Sequence, residues 1–130
     1  MILADIRDWL KTLNAAEHYY VGKLDNKQDK SLGVYQRTAG SAHIALGGLD
    51  NTKYAVKRIS LLLHWNDNAK ETEIAANELY KKLITTDHPV IGDEQVYCIM
   101  MQTAEPQDVG TDDNGIYERV IWMDIYHERR

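Results

Sequence analysis

Phenylalanine is absent from this chain of 130 residues, cysteine occurs once, and proline occurs twice. A single Cys98 cannot close an intramolecular disulfide, so no oxidising compartment is required for folding. No apolar run approaches the ~18 residues of a membrane span. Met1 to Leu13 carries Asp5 and Asp8 among its apolar residues, unlike a secretory signal. The expectation is a soluble protein that is intracellular when made. A basic excess is also missing. Net charge is −5, the wrong sign for neutralising phosphates, which argues against tight nucleic-acid binding by a single copy.

What is present is ordinary globular material. Hydrophobic residues make up 44% and charged residues 27%, which excludes a disordered chain. The length fits one domain over residues 1–130, able to bury roughly two-thirds of its unfolded surface. Eight tyrosines and three tryptophans carry the aromatic area. A tyrosine hydroxyl needs water or a partner, so that area is expected near surfaces or contacts.

Leu3, Ile6, Trp9, Leu10 and Leu13 recur at helical spacing and predict an amphipathic helix ended by Asn14. His18–Leu24 and Ser31–Arg37 flank the polar run Asp25–Lys30 and read as a β-hairpin reaching out of the domain. The Gly-rich stretch Gly40–Asn51 reads as a connection. Beyond it, Lys57, Ile59, Leu61, Leu63 and Trp65 alternate with more polar residues, as in a central strand with one face on the core.

A second helix is the clearest signal. Asn68 caps it, Glu71 follows three residues on as in a capping box, and Thr72, Ala75, Ala76, Leu79, Tyr80 and Leu83 form its apolar stripe. Ile74 falls on the opposite side, either a lone surface apolar residue or a contact with a neighbouring subunit. Gln95–Thr103 and Tyr117–His127 read as strands joined by the polar loop Ala104–Ile116. On the last strand Ile121, Met123 and Ile125 form one apolar face, while Val120, Trp122 and Tyr126 load the other. Such a strand is sandwiched inside the domain or covered by a partner. The element order lacks a βαβ rhythm and predicts an α+β fold: a largely antiparallel sheet with two helices packed on one face and an extending β-hairpin.

No constellation for catalysis emerges. His18, His43, His64, His88 and His127 form no paired spacing for a metal, and no cofactor is implied. Cys98 lies among apolar strand residues, where a thiol is usually inert. The run Asp108–Gly115 resembles a calcium loop. Aligning Gly115 with the sixth position, however, puts Gly110 first and Ile121 twelfth, where ligands are required. Asp and Asn favour tight turns on their own account, so a rigid turn is expected there. Phosphate-cradling glycine motifs are missing.

Several segments in order resemble a family of minor capsid and tail-terminator proteins of long-tailed, siphovirus-like bacteriophages and prophages. They are Tyr19-Tyr20-Val21-Gly22-Lys23, Gly33-Val34-Tyr35, Gly47-Gly48-Leu49, Ile59–Asn66, Glu78-Leu79-Tyr80 and, most distinctively, Pro106–Arg119. The resemblance implies a tail-terminator-like fold without catalytic residues. It implies a hexameric ring of identical subunits that stops tail-tube growth and meets the head–tail connector. The partners would be further copies of the chain, the tail tube protein and the connector protein. DNA would only pass through the lumen, whose wall the acidic balance would line with Asp and Glu. The protein would reside in the host cytoplasm before assembly and then at the head–tail interface of the virion. Contacts between subunits are expected at Lys23, Lys27 and Lys30 of the hairpin, at Ile74, at Asp108, Asp112 and Asp113 of the loop, and at Trp122. A head-closure or connector subunit, another assembly factor, or a small enzyme are the alternatives.

Overall fold

The computed structural model describes residues 1–22, 28–38, 42 and 44–129, excepting the side chain of residue 51. Its elements follow the order α1 (Leu3–Lys11), β1 (His18–Val21), β2 (Ser31–Gln36), a short 3-10 turn (Leu49–Asn51), β3 (Tyr54–His64), α2 (Ala69–Ile84), β4 (Val90–Ile91), β5 (Glu94–Met101), β6 (Gln107–Thr111) and β7 (Tyr117–Glu128). The strands form one mixed, mostly antiparallel sheet in the order β1-β2-β3-β7-β5-β4, with β6 also paired to β7. This is an α+β fold.

The two long strands form the spine. β3 and β7 pair from Tyr54↔Glu128 to His64↔Glu118 without a break. Side chains alternate across a strand, so this register puts Ile59, Leu61 and Leu63 on the same face as Ile121, Met123 and Ile125. Ile6, Trp9 and Leu10 of α1 and Ala76, Leu79 and Leu83 of α2 join them, with Leu32 and Val34 of β2, in a single buried cluster. The helices therefore share one face of the sheet.

Local chemistry fixes the helix ends. Asn14 adopts φ 54°, a left-handed conformation that asparagine tolerates, and so ends the first helical segment. Lys82 of α2 donates through Nζ to the Leu13 carbonyl at 2.8 Å, satisfying an acceptor that the helix end leaves open. At the start of α2 the Asn68 side chain accepts the Glu71 N–H at 3.0 Å, as the sequence predicts. The reciprocal half of a capping box is made differently. Asn66 Oδ1 accepts the Asn68 N–H at 2.9 Å, and the Glu71 carboxylate accepts from Asn66 Nδ2 at 2.7 Å.

Two expectations are corrected. His18–Leu24 and Ser31–Arg37 do not make a β-hairpin: β1 and β2 run parallel, with His18 beside Ser31 and Val21 beside Val34. The chain must therefore return between them through residues 22–30, of which 23–27, including the predicted contacts Lys23 and Lys27, lie outside the described residues. Gly22, at φ 69°, starts the return and donates its N–H to the Val34 carbonyl at 2.7 Å. Only the four residues of β1 take part in this pairing.

The second correction concerns the polar loop Ala104–Ile116. Gln107–Thr111 within it is a strand, β6, antiparallel to β7 and interrupted by an irregularity between Asp108 and Gly110. The polar composition that suggests a loop suits an edge strand with both faces near water. A further tight hairpin links β4 to β5 through Gly92 and Asp93, both at positive φ (54° and 65°), as a primed turn demands.

Candidate functional site

With both helices on one face, the other face of the sheet carries the groups that need explaining. Trp122, Asp124 and Tyr126 alternate with the buried Ile121, Met123 and Ile125 and so point away from the core. Beside them stand Tyr54, Arg58 and Leu62 of β3. From β5 come Cys98 and Met100, which pair with Tyr126 and Asp124 after an irregularity between Val96 and Cys98. Trp122 is 46% exposed and Met100 50%, while Tyr54 stacks on Tyr126 at 6.0 Å. Trp, Tyr, Met and Arg are the side chains enriched in the centre of protein contacts.

A charged cluster sits within this face. Arg37, just past β2, places its guanidinium 5.2 Å from the Trp122 ring centre and its Nη1 3.1 Å from Asp124 Oδ1. Arg58 Nε lies 3.9 Å from Asp124 Oδ2. Asp124 is buried, yet its Oδ1 receives no directed hydrogen bond among the described residues. Distance and direction disagree here. The Arg37 contact is close enough for strong Coulomb attraction but is not aimed as a hydrogen bond; it is an ion pair.

A second cluster closes the end of the β3–β7 ladder. His64 is 1% exposed; its Nδ1 lies 3.0 Å from Glu118 Oε2 of β7 and its Nε2 3.7 Å from Asp112 Oδ2. Asp112 organises the turn between β6 and β7: its Oδ1 accepts the N–H groups of Asn114 and Ile116, each at 2.9 Å. Gly115 takes φ 77° in that turn. The rigid turn expected for Asp108–Gly115 is thus built by side chain-to-backbone bonds.

On the core side, Glu94 Oε1 lies 2.9 Å from the α-amino group of Met1, and its other oxygen contacts Nδ1 of the buried His127. Burial alone would push this carboxyl up. The hydrogen bond and charge of the Met1 ammonium, followed by those of His127, outweigh burial and hold it below its ordinary value.

The residues expected at subunit contacts are scattered. Lys30 takes φ 56°, and its carbonyl accepts from the N–H groups of Glu17 and His18, so its backbone starts the β1–β2 pairing; its Nζ lies 3.9 Å from Glu17. Asp108 is exposed and accepts the Gly110 N–H at 2.8 Å. Asp113 is exposed at the turn, whereas the carboxylate of Asp112 is largely enclosed. Ile74 is 48% exposed on the outer side of α2, and Trp122 lies on the bare sheet face, so the two look out from opposite layers. The sequence reading did not select Arg37, Arg58, Asp124, His64 or Glu118. Strand alternation could have placed the last four together, because each shares the parity of Trp122 across the β3–β7 register. Arg37 lies beyond the end of its strand, where no such pattern reaches.

Among the described residues no three His, Cys, Asp or Glu side chains converge as a metal site. Two shallow clefts have volumes of about 200 Å³ (Thr86–Pro89 against Val96–Ile99) and about 230 Å³ (Asn14, Ala15 and Trp65 against α2). Both fall short of the roughly 300–1,000 Å³ of typical small-molecule sites. Cys98 is exposed on the bare face. Among the described residues no helix is long and apolar enough to cross a membrane.

The fold is α+β, with a one-sided helix layer and an aromatic, arginine-bearing face on the other side of the sheet. Residues 1–126 match the model for the bacteriophage tail terminator protein, and the chain is a member of that family. It is therefore a phage structural protein and a virion component. No curated protein matches the chain.

Proposed function

We propose that the chain assembles head to tail into a hexameric ring that caps the tail tube and joins the finished tail to the head. The observation that supports this most is the presence of two unlike surfaces on opposite sides of one subunit. Trp122, Met100 and Arg37 lie on the bare sheet face, and Ile74 lies on the helix layer. A head-to-tail contact uses two different patches and closes into a ring when the rotation allows. The helix layer of one copy then covers the bare sheet of the next, in a contact of at least ~1,000 Å².

The β6–β7 turn, with exposed Asp108 and Asp113, and the segment Lys23–Lys30 contribute further contacts between subunits, to the tube protein or to the connector. The acidic balance of the chain, net −5, suits a lumen that lets DNA pass without holding it.

The test pairs Trp122→Asp with Ile74→Asp in separate variants, each substitution lying at an exposed position. Both are expected to fold, to lose ring formation on tail tubes, and to give tails of uncontrolled length by electron microscopy. Normal rings and normal tail length in both variants contradict the reading.

A further inference from the structure

Asn114-Gly115, in the turn between β6 and β7, is the only Asn–Gly pair in the chain. Asparagine is chemically labile, and most so before glycine, where no side chain shields the next backbone nitrogen. In such a pair the Gly115 nitrogen can attack Cγ of Asn114. The N–Cγ bond forms, the bond from Cγ to the side-chain nitrogen breaks, and that nitrogen leaves as ammonia with the proton given up by the Gly115 amide. Water then opens the cyclic imide at either carbonyl. The product is aspartate or, with the main chain rerouted through the side chain, isoaspartate.

Packing does not cover the pair. Asn114 and Gly115 are both exposed, and a Cβ on Gly115 would meet nothing within 4 Å, so water and base reach the site. Hydrogen bonding is what restrains it. The Gly115 N–H donates to the Asp112 carbonyl at 3.1 Å, and the Asp112 N–H donates to the Ile116 carbonyl at 3.0 Å. Asp112 Oδ1 accepts the N–H groups of Asn114 and Ile116, which flank the Gly115 nitrogen. To attack, that nitrogen must lose its proton and its peptide must swing toward the Asn114 side chain. Both steps break its bond to the Asp112 carbonyl.

We infer that Asn114 is a self-deamidation site that the folded β6–β7 turn holds shut and that reacts only when the turn opens. Aspartate at this position adds a negative charge beside Asp112 and Asp113. Isoaspartate also inserts a methylene into the main chain, lengthening a turn whose hydrogen bonds fit the present spacing. The site exists in a single copy of the chain, whether or not a ring forms.

The experiment incubates the purified full chain at mildly alkaline pH, folded in buffer and unfolded in guanidinium chloride. Peptide mass spectrometry follows Asn114, and an isoaspartyl methyltransferase labels the rearranged product. The unfolded chain is expected to lose Asn114 faster than any other asparagine. The folded chain should lose it at least about tenfold more slowly than the unfolded one, since the turn must first open. Asp112→Ala removes the Oδ1 acceptor of the flanking amides and should move the folded rate toward the unfolded rate. Equal loss of Asn114 in folded and unfolded chains would overturn the inference, as would an Asp112→Ala variant that folds and reacts as slowly as the parent. If that variant does not fold, the comparison on the parent chain decides.

Discussion

Arg37 lies over the Trp122 ring at 5.2 Å while its Nη1 stands 3.1 Å from the buried Asp124 carboxylate. Chain ends far apart in sequence thus meet on the sheet face that the helices leave bare. The ion pair with Asp124 thus holds the guanidinium beside the indole.

Removing the carboxylate exposes what the cluster costs. Asp124→Ala leaves Arg37 and Arg58 together in a poorly solvated place, and it should destabilise the chain by about 3 kcal/mol. Asp124→Asn keeps the shape but not the charge and should cost less. Urea unfolding followed by tryptophan fluorescence measures both, and equal stability of Asp124→Ala and the parent would mean that the pairs contribute nothing net.

The turn between β4 and β5 is set by backbone geometry. A Cβ on Gly92 would collide with the Asp5 side chain of α1, and the residue sits at φ 54°. Both the strain and the clash act against Gly92→Ala, which should lose about 2 kcal/mol or more. An unchanged thermal midpoint would show that α1 moves aside freely.

Glu94 predicts an acid limb. Its folded-state pKa is depressed below 4.5, so its contribution to stability is complete above the unfolded-state value and is lost as pH falls through the folded one. Protonation removes the counter-charge of the Met1 ammonium and of His127. Stability measured from pH 6 down to pH 3 should fall more steeply for the parent than for Glu94→Gln; parallel curves would contradict this.

Much of the frame was legible in the sequence, because burial imposes a period. The helical stripes from Leu3 and from Thr72, and the alternation at Ile59–Leu63 and Ile121–Ile125, report the core directly. The parallel pairing of β1 with β2 was not legible. Strand direction depends on how residues 22–30 travel, and a polar connection looks the same for a hairpin and for a short return. Strand β6 was hidden because Gln107, Asp108 and Val109 are all exposed and leave no alternation to detect. The charged clusters were hidden for a related reason. His64, Glu118 and Asp124 each look like an outward polar residue, and only the β3–β7 register brings them beside their partners.

The N-cap offers a smaller check on the helix layer. Asn68→Ala removes the acceptor of the Glu71 N–H and should cost about 1 kcal/mol, whereas Asn68→Asp should be nearly neutral. Thermal unfolding monitored by circular dichroism reads the difference, and equal losses in the two variants would assign the cap no role.

The native Cys98 thiol, exposed on the bare face beside Tyr126, reports whether that face is covered in the virion. Its alkylation rate should be measured on the free chain and on the same chain in assembled tails. A thiol that reacts readily when free and is protected in tails is the predicted result; equal rates in the two states would contradict burial of this face on assembly.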